Sequence, residues 1–159
     1  MFIEFIKKFL THPRLAEGSA WVRRSFSTGD ILLTEGAVGQ SLFVVEKGRL
    51  SVLGRVQHPD QPSVEVTLME LITGHVFGES SLIDAYPSIA TVRAVTDGSV
   101  IEINGATLSV YLDDNPEQGY LFFKYLLAES LDNLAKTKGG VVDLAMIGLR
   151  SHVAVKTGS

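Results

Sequence analysis

The feature that most constrains this chain is a change in hydrophobic periodicity close to residue 105. Before that point, from Trp21 to Ile103, short runs of β-branched and aromatic residues alternate with turns that contain glycine. After it, apolar residues recur every three or four positions, which is the spacing of an amphipathic helix. Many short strands separated by turns are typical of a β-sandwich or a jelly-roll barrel. The sequence therefore predicts a mainly β fold followed by helices.

Two kinds of strand pattern occur within the β-rich part. Compact apolar runs begin at Ile31 and Leu42, and two further strands are predicted over residues 89–95 and 100–103. Residues 63–69 instead alternate between apolar and polar side chains. Since side chains of a strand point to opposite faces in turn, the alternation predicts that the core-facing residues are Val64, Val66 and Leu68, and that the outward-facing ones are Ser63, Glu65 and Thr67.

The first ten residues predict a short amphipathic helix. Its apolar positions follow the i, i+3, i+4, i+7 rule, and they are Phe2, Phe5, Ile6, Phe9 and Leu10. The simpler interpretation is that this stripe packs on the domain itself. The alternative is that it docks on a membrane surface or a partner.

Helical periodicity returns after Gly105. A first segment carries Leu108, Tyr111 and Leu112, and Pro116 begins a second segment that is predicted to end near Lys138, before a glycine pair. The apolar positions of this second segment are Leu121, Phe122, Tyr125, Leu126, Leu131 and Leu134. Such a stripe either covers its own core or forms the seam of a two-helix homodimer, and the sequence leaves both open.

Composition excludes several classes of protein. The 159 residues carry a formal net charge of −4, which argues against DNA binding, and the lack of cysteine removes disulfides and thiolate metal sites. We find neither a signal peptide nor an apolar run of the roughly 18 residues that a membrane span needs. We therefore expect one soluble, cytoplasmic domain that holds no cofactor or metal.

The densest group of unusual residues surrounds Gly78 and Glu79. A glycine next to an acid, followed by Ser80 and Ser81, suggests a tight turn that opens a short helix with outward-pointing amides, which attract anions. Glu79 cannot face a phosphate without repulsion, so it is better suited to accept a hydrogen bond from a sugar hydroxyl. That division of roles suits a nucleotide. The alternative is an ordinary turn with an acid at a helix start.

The order of the glycine motifs extends beyond this turn. They are Phe26-Ser27-Thr28-Gly29-Asp30-Ile31-Leu32, Glu35-Gly36, Gly39, Leu42-Phe43-Val44-Val45-Glu46-Lys47-Gly48-Arg49-Leu50-Ser51-Val52, Gly74-His75-Val76-Phe77-Gly78-Glu79 and Ala90-Thr91-Val92-Arg93-Ala94. In these residues the chain resembles the cyclic-nucleotide-binding domain family, which includes the catabolite activator protein and the regulatory subunits of protein kinase A. The resemblance covers roughly residues 26–138. It implies an eight-stranded jelly-roll barrel with an N-terminal helix and two C-terminal helices, the last of which closes over the ligand or forms a dimer.

The resemblance also implies a phosphate-binding cassette with Glu79 on the ribose 2′-hydroxyl. The family cassette usually continues Pro-Arg-Ala-Ala-Thr-Val, whereas here Ser88 stands at the arginine position. Charged hydrogen bonds contribute about 1.5–3 kcal/mol and neutral ones about 1 kcal/mol, so the exchange weakens phosphate binding by roughly ten- to a hundredfold. Arg93 lies too far along its strand to replace it, while Arg49 and Arg55 remain open. The predicted ligand-binding residues are Phe77, Gly78, Glu79, Ser80, Ser81, Ser88, Ile89 and Ala90.

Two functional hypotheses follow. The first is a stand-alone regulatory domain that binds cyclic AMP, cyclic GMP or another small anionic ligand, weakly or in a non-canonical way. The second is a degenerate, ligand-free domain that serves in dimerisation or protein interaction through residues 121–134 or the N-terminal stripe. An enzyme is disfavoured because the four histidines are scattered and no Gly-x-Ser-x-Gly motif occurs.

We divide the chain into four parts on this basis. Residues 1–25 are an N-terminal helical segment, residues 26–104 the cyclic-nucleotide-binding-like β-barrel, residues 105–138 the C-terminal helices, and residues 139–159 a tail. The tail is too short for a winged helix, which argues further against a transcription factor. Its apolar residues indicate that it packs on the barrel or on a second chain.

Overall fold

The computed structural model describes the backbone of residues 2–83 and 86–157, and the side chains within those ranges up to residue 138. The described backbone forms three α-helices: α1 (Phe2–Phe9), α2 (Gly105–Asp114) and α3 (Pro116–Thr157). The strands are β1 (Trp21–Phe26), β2 (Ile31–Leu33), β3 (Ser41–Lys47), β4 (Leu50–His58), β5 (Gln61–Leu71), β6 (Val76–Phe77), β7 (Thr91–Ala94) and β8 (Gly98–Asn104). A short 3₁₀ helix, Glu79–Leu82, follows β6.

The strands form two four-stranded antiparallel sheets. The first sheet has the order β1-β8-β3-β6 and the second the order β2-β7-β4-β5. One cluster of buried side chains fills the space between them, and it includes Phe43, Leu50 and Val100. The prediction of a mainly β fold, with eight strands, one N-terminal helix and two C-terminal helices, is confirmed.

The predicted alternation along β5 is wrong at its start. Val64 is 56% exposed, and it pairs with the equally exposed Val56 near the tip of the β4–β5 hairpin. The reason is that β7 pairs with β4 only at residues 50–53, so the hairpin extends beyond the sheet as two strands. Val66 and Leu68 are half-buried, and the core-facing residue that the alternation missed is Met69.

Helix α1 packs on its own domain, as the simpler interpretation expected. Phe2 and Ile6 are fully buried, and the Phe2 and Phe9 rings lie 5.9 and 5.6 Å from the ring of Phe122 on α3. The Phe5 ring stacks on Tyr125 at 4.6 Å. The second core cluster therefore joins the first sheet to all three helices.

Helix α3 runs past the glycine pair at which it was predicted to end. It continues without interruption to Thr157. A glycine inside a helix costs only about 1 kcal/mol relative to alanine, so two of them weaken a long helix without ending it. The side chains of the tail lie outside the described residues, and the packing of the tail and the domain boundaries stay predictions.

Candidate ligand-binding site

The turn after β6 requires glycine at position 78. Gly78 has a φ of +82°, and a Cβ atom there would lie 2.5 Å from the carbonyl oxygen of Ser41. Both the left-handed backbone and this close approach exclude a side chain. The turn leads directly into the 3₁₀ helix, whose first residue is Glu79.

A cavity of about 700 Å³ lies beside this turn, between the second sheet and α3. That volume is within the range of small-molecule sites, about 300–1,000 Å³. Most of the predicted ligand-binding residues line it, namely Phe77, Gly78, Glu79, Ser80, Ser88, Ile89 and Ala90. Ser81 is the exception: its amide donates to the Gly78 carbonyl at 3.0 Å, and its hydroxyl is buried without a partner. Asp84 and Ala85, which belong to the same stretch of sequence, lie outside the described residues.

The opposite wall of the cavity comes from α3 and was missed by the sequence analysis. It consists of Ser130, Asn133, Leu134 and Thr137. Helical periodicity marks apolar positions, so it identified Leu134 as part of a stripe but assigned no role to the three polar residues. Their spacing of three and four residues places them on one face of the helix. That this face lines the cavity is seen only in the structure, where it lies next to the cassette.

Glu79 carries the only carboxyl group among the described residues that line the cavity. Burial raises the pKa of its carboxyl above the usual value, because a charged carboxylate is poorly solvated there. A hydrogen bond from its own backbone amide opposes that shift, and the negative charge of Glu129 on α3 adds to it. The carboxyl group is therefore a desolvated hydrogen-bond acceptor at the wall.

Ser88 is buried, and its polar groups are used within the protein. Its hydroxyl donates to the carbonyl oxygen of Ala90 at 2.8 Å. Its own amide donates to Ala37, and its carbonyl accepts from Gly36, both at 2.8 Å. The neighbouring Ile89 is 80% exposed at the rim. The single neutral donor at the arginine position thus already has an acceptor.

The three arginines considered as substitutes lie elsewhere. Arg93 forms a 2.6 Å ion pair with Glu65 on the outer surface of the second sheet. Arg49 is 3.8 Å from Glu70, and Arg55 reaches Ser63 at 3.5 Å. None of them is among the described residues that line the cavity.

Helix α3 touches the β-roll beside the cavity through three polar contacts. Asn133 Nδ2 lies 3.5 Å from the Val76 carbonyl, and its Oδ1 is buried without a partner. The Thr137 hydroxyl lies 3.5 Å from Met69 Sδ, and Lys136 Nζ lies 3.4 Å from His75 Nε2. The two contacts between nitrogen and oxygen or nitrogen atoms are long, and the thioether sulfur of Met69 is a weak acceptor, so this part of the helix is held loosely.

In the described part of the chain, His12 and His75 lie in loops, and His58 is the exposed last residue of β4. The Nδ1 atoms of His12, His58 and His75 each accept a nearby backbone amide, and His152 lies outside the described side chains. Within the same described residues, no three His, Asp or Glu side chains form a metal-binding group. No helix described there has the length and apolar character that crossing a bilayer requires.

Several known proteins are similar to this chain in sequence. A potassium channel gated by cyclic nucleotides from Rhizobium etli is 31% identical over 94 residues, which is 59% of this chain and 24% of the channel. The regulatory subunit of cAMP-dependent protein kinase from Dictyostelium discoideum is 31% identical over 108 residues, 67% of this chain and 32% of the subunit. The chain thus spans about a quarter to a third of the length of these relatives.

Solved structures share the fold. A cyclic nucleotide-binding domain from Methylobacillus flagellatus superposes with a TM-score of 0.68 at 22% identity, over 79% of this chain and 68% of that domain. The Thermus thermophilus catabolite activator protein gives a TM-score of 0.55 at 22% identity, over 80% of this chain and 55% of that one. The family model for the cyclic nucleotide-binding domain matches residues 23–115, from β1 to the end of α2, and the chain belongs to the cyclic nucleotide-binding domain family.

Proposed function

We propose that this domain is a regulatory sensor in which a small ligand in the cavity changes the position of α3. The observation that carries the proposal is the composition of the cavity wall: the cassette, from Phe77 to Ala90, forms one side and α3, at Ser130 to Thr137, forms the other. A ligand that contacts both sides binds more tightly to one placement of the helix, and it therefore shifts the population towards that placement. The proposed activity is binding, not catalysis, in the cytoplasm and without DNA.

The proposed ligand class is a nucleotide-type molecule that binds weakly or in a non-canonical way. Glu79 supports this class because its buried carboxyl lies at the cavity wall, where it can accept from a ribose hydroxyl. Ser88 supports the weak binding because its hydroxyl already donates a hydrogen bond to the carbonyl oxygen of Ala90. A cyclic phosphate at this position gains neither a full positive charge nor an unused donor.

The test is a calorimetric titration with cyclic AMP and cyclic GMP, combined with hydrogen exchange of the α3 amides. We expect dissociation constants between about 10 μM and 1 mM, and slower exchange around Asn133 when ligand is present. Glu79→Ala should weaken binding at least fivefold, whereas Glu65→Ala, an acid on the outer surface of the second sheet, should not. Ligand binding without any change in α3 exchange would contradict the sensor mechanism.

A second candidate is a homodimer formed through α3, with or without a ligand. The observation that favours it is an apolar stripe left exposed on α3, with spacings of three and four residues: Tyr120, Phe123, Leu127, Leu131 and Leu134. These side chains are 47–66% exposed, with Leu127 at 60% and Leu134 at 65%. A stripe of this kind fits a second copy of itself in a two-helix seam.

Sedimentation velocity tests the dimer. Leu127→Glu should shift the protein to monomer, because a charge at the centre of the seam would be buried in the dimer. Val110→Glu on α2, where Val110 is 56% exposed, is the matched control and should leave the association unchanged. A wild-type chain that stays monomeric at about 100 μM, well above a micromolar dissociation constant, would exclude this candidate.

A further inference from the structure

The cavity has an unusual balance of polar groups for a site that would hold an anion. Of the described side chains that line it, none is Lys, Arg or His, and the one carboxylic acid is Glu79. Most of the remaining wall is apolar, including Leu33, Val52 and Val92. Moving an anion from water into such surroundings loses hydration that no positive charge replaces.

The polar side chains that line the cavity offer acceptors and neutral donors but, among the described residues, no cation: they are the carboxyl of Glu79, the amide of Asn133 and the hydroxyls of Ser80, Tyr86, Ser88, Ser130 and Thr137. The Glu79 carboxyl accepts hydrogen bonds when it is ionised. On the opposite wall, Oδ1 of Asn133 is buried and has no hydrogen-bond partner. Asn133 lines the cavity, so a small rotation of its side chain lets a ligand N–H or O–H group supply the missing hydrogen bond. The hydroxyl of Ser88, a donor, is already bonded to Ala90 at 2.8 Å.

We propose that the cavity recognises an uncharged nucleoside in preference to its cyclic phosphate. The sugar hydroxyls donate to Glu79, an N–H group of the base donates to Asn133 Oδ1, and the apolar wall contacts the ring faces. Each of these interactions is available to a nucleoside and a cyclic nucleotide alike. The two ligands differ in the negative charge of the phosphate. In this cavity that charge would lie near Glu79, with no positively charged side chain among the described wall residues to offset it. This inference rests on the proposed function, since it names the ligand of the same cavity.

The direction of the preference follows from that difference. Both ligands gain the contacts of base and ribose, whereas only the cyclic nucleotide must lose the hydration of its phosphate and approach a carboxyl group. We expect the nucleoside to bind at least about tenfold more tightly, which corresponds to 1.4 kcal/mol. Restoring a cation to the cassette should reverse the order.

The experiment is calorimetry of the full chain with four ligands: adenosine, guanosine, cyclic AMP and cyclic GMP. The expected result is that the better nucleoside binds about tenfold or more tightly than its own cyclic nucleotide. In Ser88→Arg, the ratio of affinities for nucleotide and nucleoside should rise by about ten- to a hundredfold, the gain of a charged hydrogen bond. Ser25→Arg, an added charge on the exposed face of β1, should leave the ratio unchanged.

A second variant guards against misfolding, because Ser88 is buried. Ile89→Arg places the cation at the 80% exposed rim residue, where a long side chain needs no burial, and it should raise the same ratio. For the base contact, Asn133→Asp keeps the acceptor and Asn133→Leu removes it. Only Asn133→Leu should weaken nucleoside binding, by about five- to tenfold, the loss of one hydrogen bond.

The outcomes separate the two proposals. A cyclic nucleotide that binds more tightly than its nucleoside would overturn this inference and leave the sensor function intact. Failure of all four ligands to bind at about 1 mM would overturn both. Tighter nucleoside binding that is unaffected by either added arginine would also contradict the inference, because the preference would then not arise from the missing charge.

Discussion

The side chains of α3 are described for residues 116–138, and the two halves of that segment are held in different ways. The first half is residues 116–127 and the second half is residues 128–138. In the first half, Phe122 is fully buried, Leu126 is 6% exposed, and aromatic rings of α1 surround Phe122. In the second half, Asn133, Lys136 and Thr137 reach the β-roll through contacts of 3.4–3.5 Å. Dense apolar packing fixes the first half, whereas weak polar contacts leave the cavity wall adjustable. One helix thus combines an anchor with a part that a ligand can move.

The largest expected effect comes from removing the anchor. Phe122→Ala deletes a fully buried ring, and it should lower the free energy of unfolding by about 3–5 kcal/mol in a denaturant titration. Tyr120→Ala, two residues away but 66% exposed, should change it by less than about 1 kcal/mol. Equal effects of the two substitutions would mean that the first half of α3 is not an anchor.

Glu79 provides the second test, because burial of its carboxyl affects folding and binding in opposite directions. Its pKa in the folded chain lies above the usual value of 4.5, so the fold binds a proton more tightly than the unfolded chain does. Ionisation therefore destabilises the fold above the raised pKa, and that penalty disappears as the pH falls towards 4.5.

Glu79→Gln should accordingly stabilise the protein at pH 7 and have little effect below pH 4.5. The measurement is the denaturation midpoint as a function of pH. Glu129→Gln on the second half of α3 should give a smaller gain of the same sign, since Glu129 contributes to the shift less than burial does. A loss of stability in Glu79→Gln at pH 7 would show that the ionised carboxyl has a stabilising partner.

The third test concerns His75, which faces the loosely held half. Burial lowers the pKa of its imidazole below 6.5, nearby Lys136 lowers it further, and Asp132 opposes them. The unfolded chain then binds a proton more readily, so stability is complete above pH 6.5 and falls as the pH drops from there through the folded-state pKa. Hydrogen exchange of the amides around Lys136 should become faster over the same range.

Two variants test whether this pH dependence arises from His75 and Lys136. Lys136→Met removes the positive charge beside the imidazole and should reduce the pH dependence, while His75→Gln should abolish the part that arises from this residue. Exchange of the amides around Phe122 should respond much less than exchange around Lys136. An equal response of both halves would indicate that α3 moves as one unit.

The smallest expected effect is that of Asn133→Ala. The side chain makes one contact of 3.5 Å and leaves Oδ1 buried without a partner. The lost contact and the removed desolvation penalty offset each other, so the free energy of unfolding should change by less than about 1 kcal/mol. A loss above about 2 kcal/mol in a denaturant titration would place Asn133 among the anchors of the helix.

Local sequence patterns predicted which helices and strands form better than they predicted where those elements end. The stripe of α1, the β-rich part and the turn at Gly78 depend on neighbours close in sequence, and the structure places them as expected. The exposure of Val64 depends on how far β7 pairs with β4, and the end of α3 depends on more than the glycine pair. Both properties depend on residues that are distant in sequence, so hydrophobic periodicity alone cannot predict them.

The candidate site divides in the same way. The motif identified the cassette residues, and all of them except Ser81 line the cavity. The wall residues of α3 were not identified, because Ser130, Asn133 and Thr137 resemble an ordinary solvated helix face in sequence. Their role depends on the crossing of α3 over the second sheet, at a separation of some 50 residues from the cassette.

The amino-acid sequence was enough to predict a β-rich fold with flanking helices, an acid at the cassette turn and no arginine at position 88. These are properties of residue identity and spacing. The tertiary structure adds that the Ser88 hydroxyl is bonded to Ala90, that Arg93 is paired with Glu65, and that Asn133 and Glu79 line the same cavity. The physical reason is that burial, charge pairing and hydrogen-bond satisfaction arise from segments far apart in the chain, which no local pattern records.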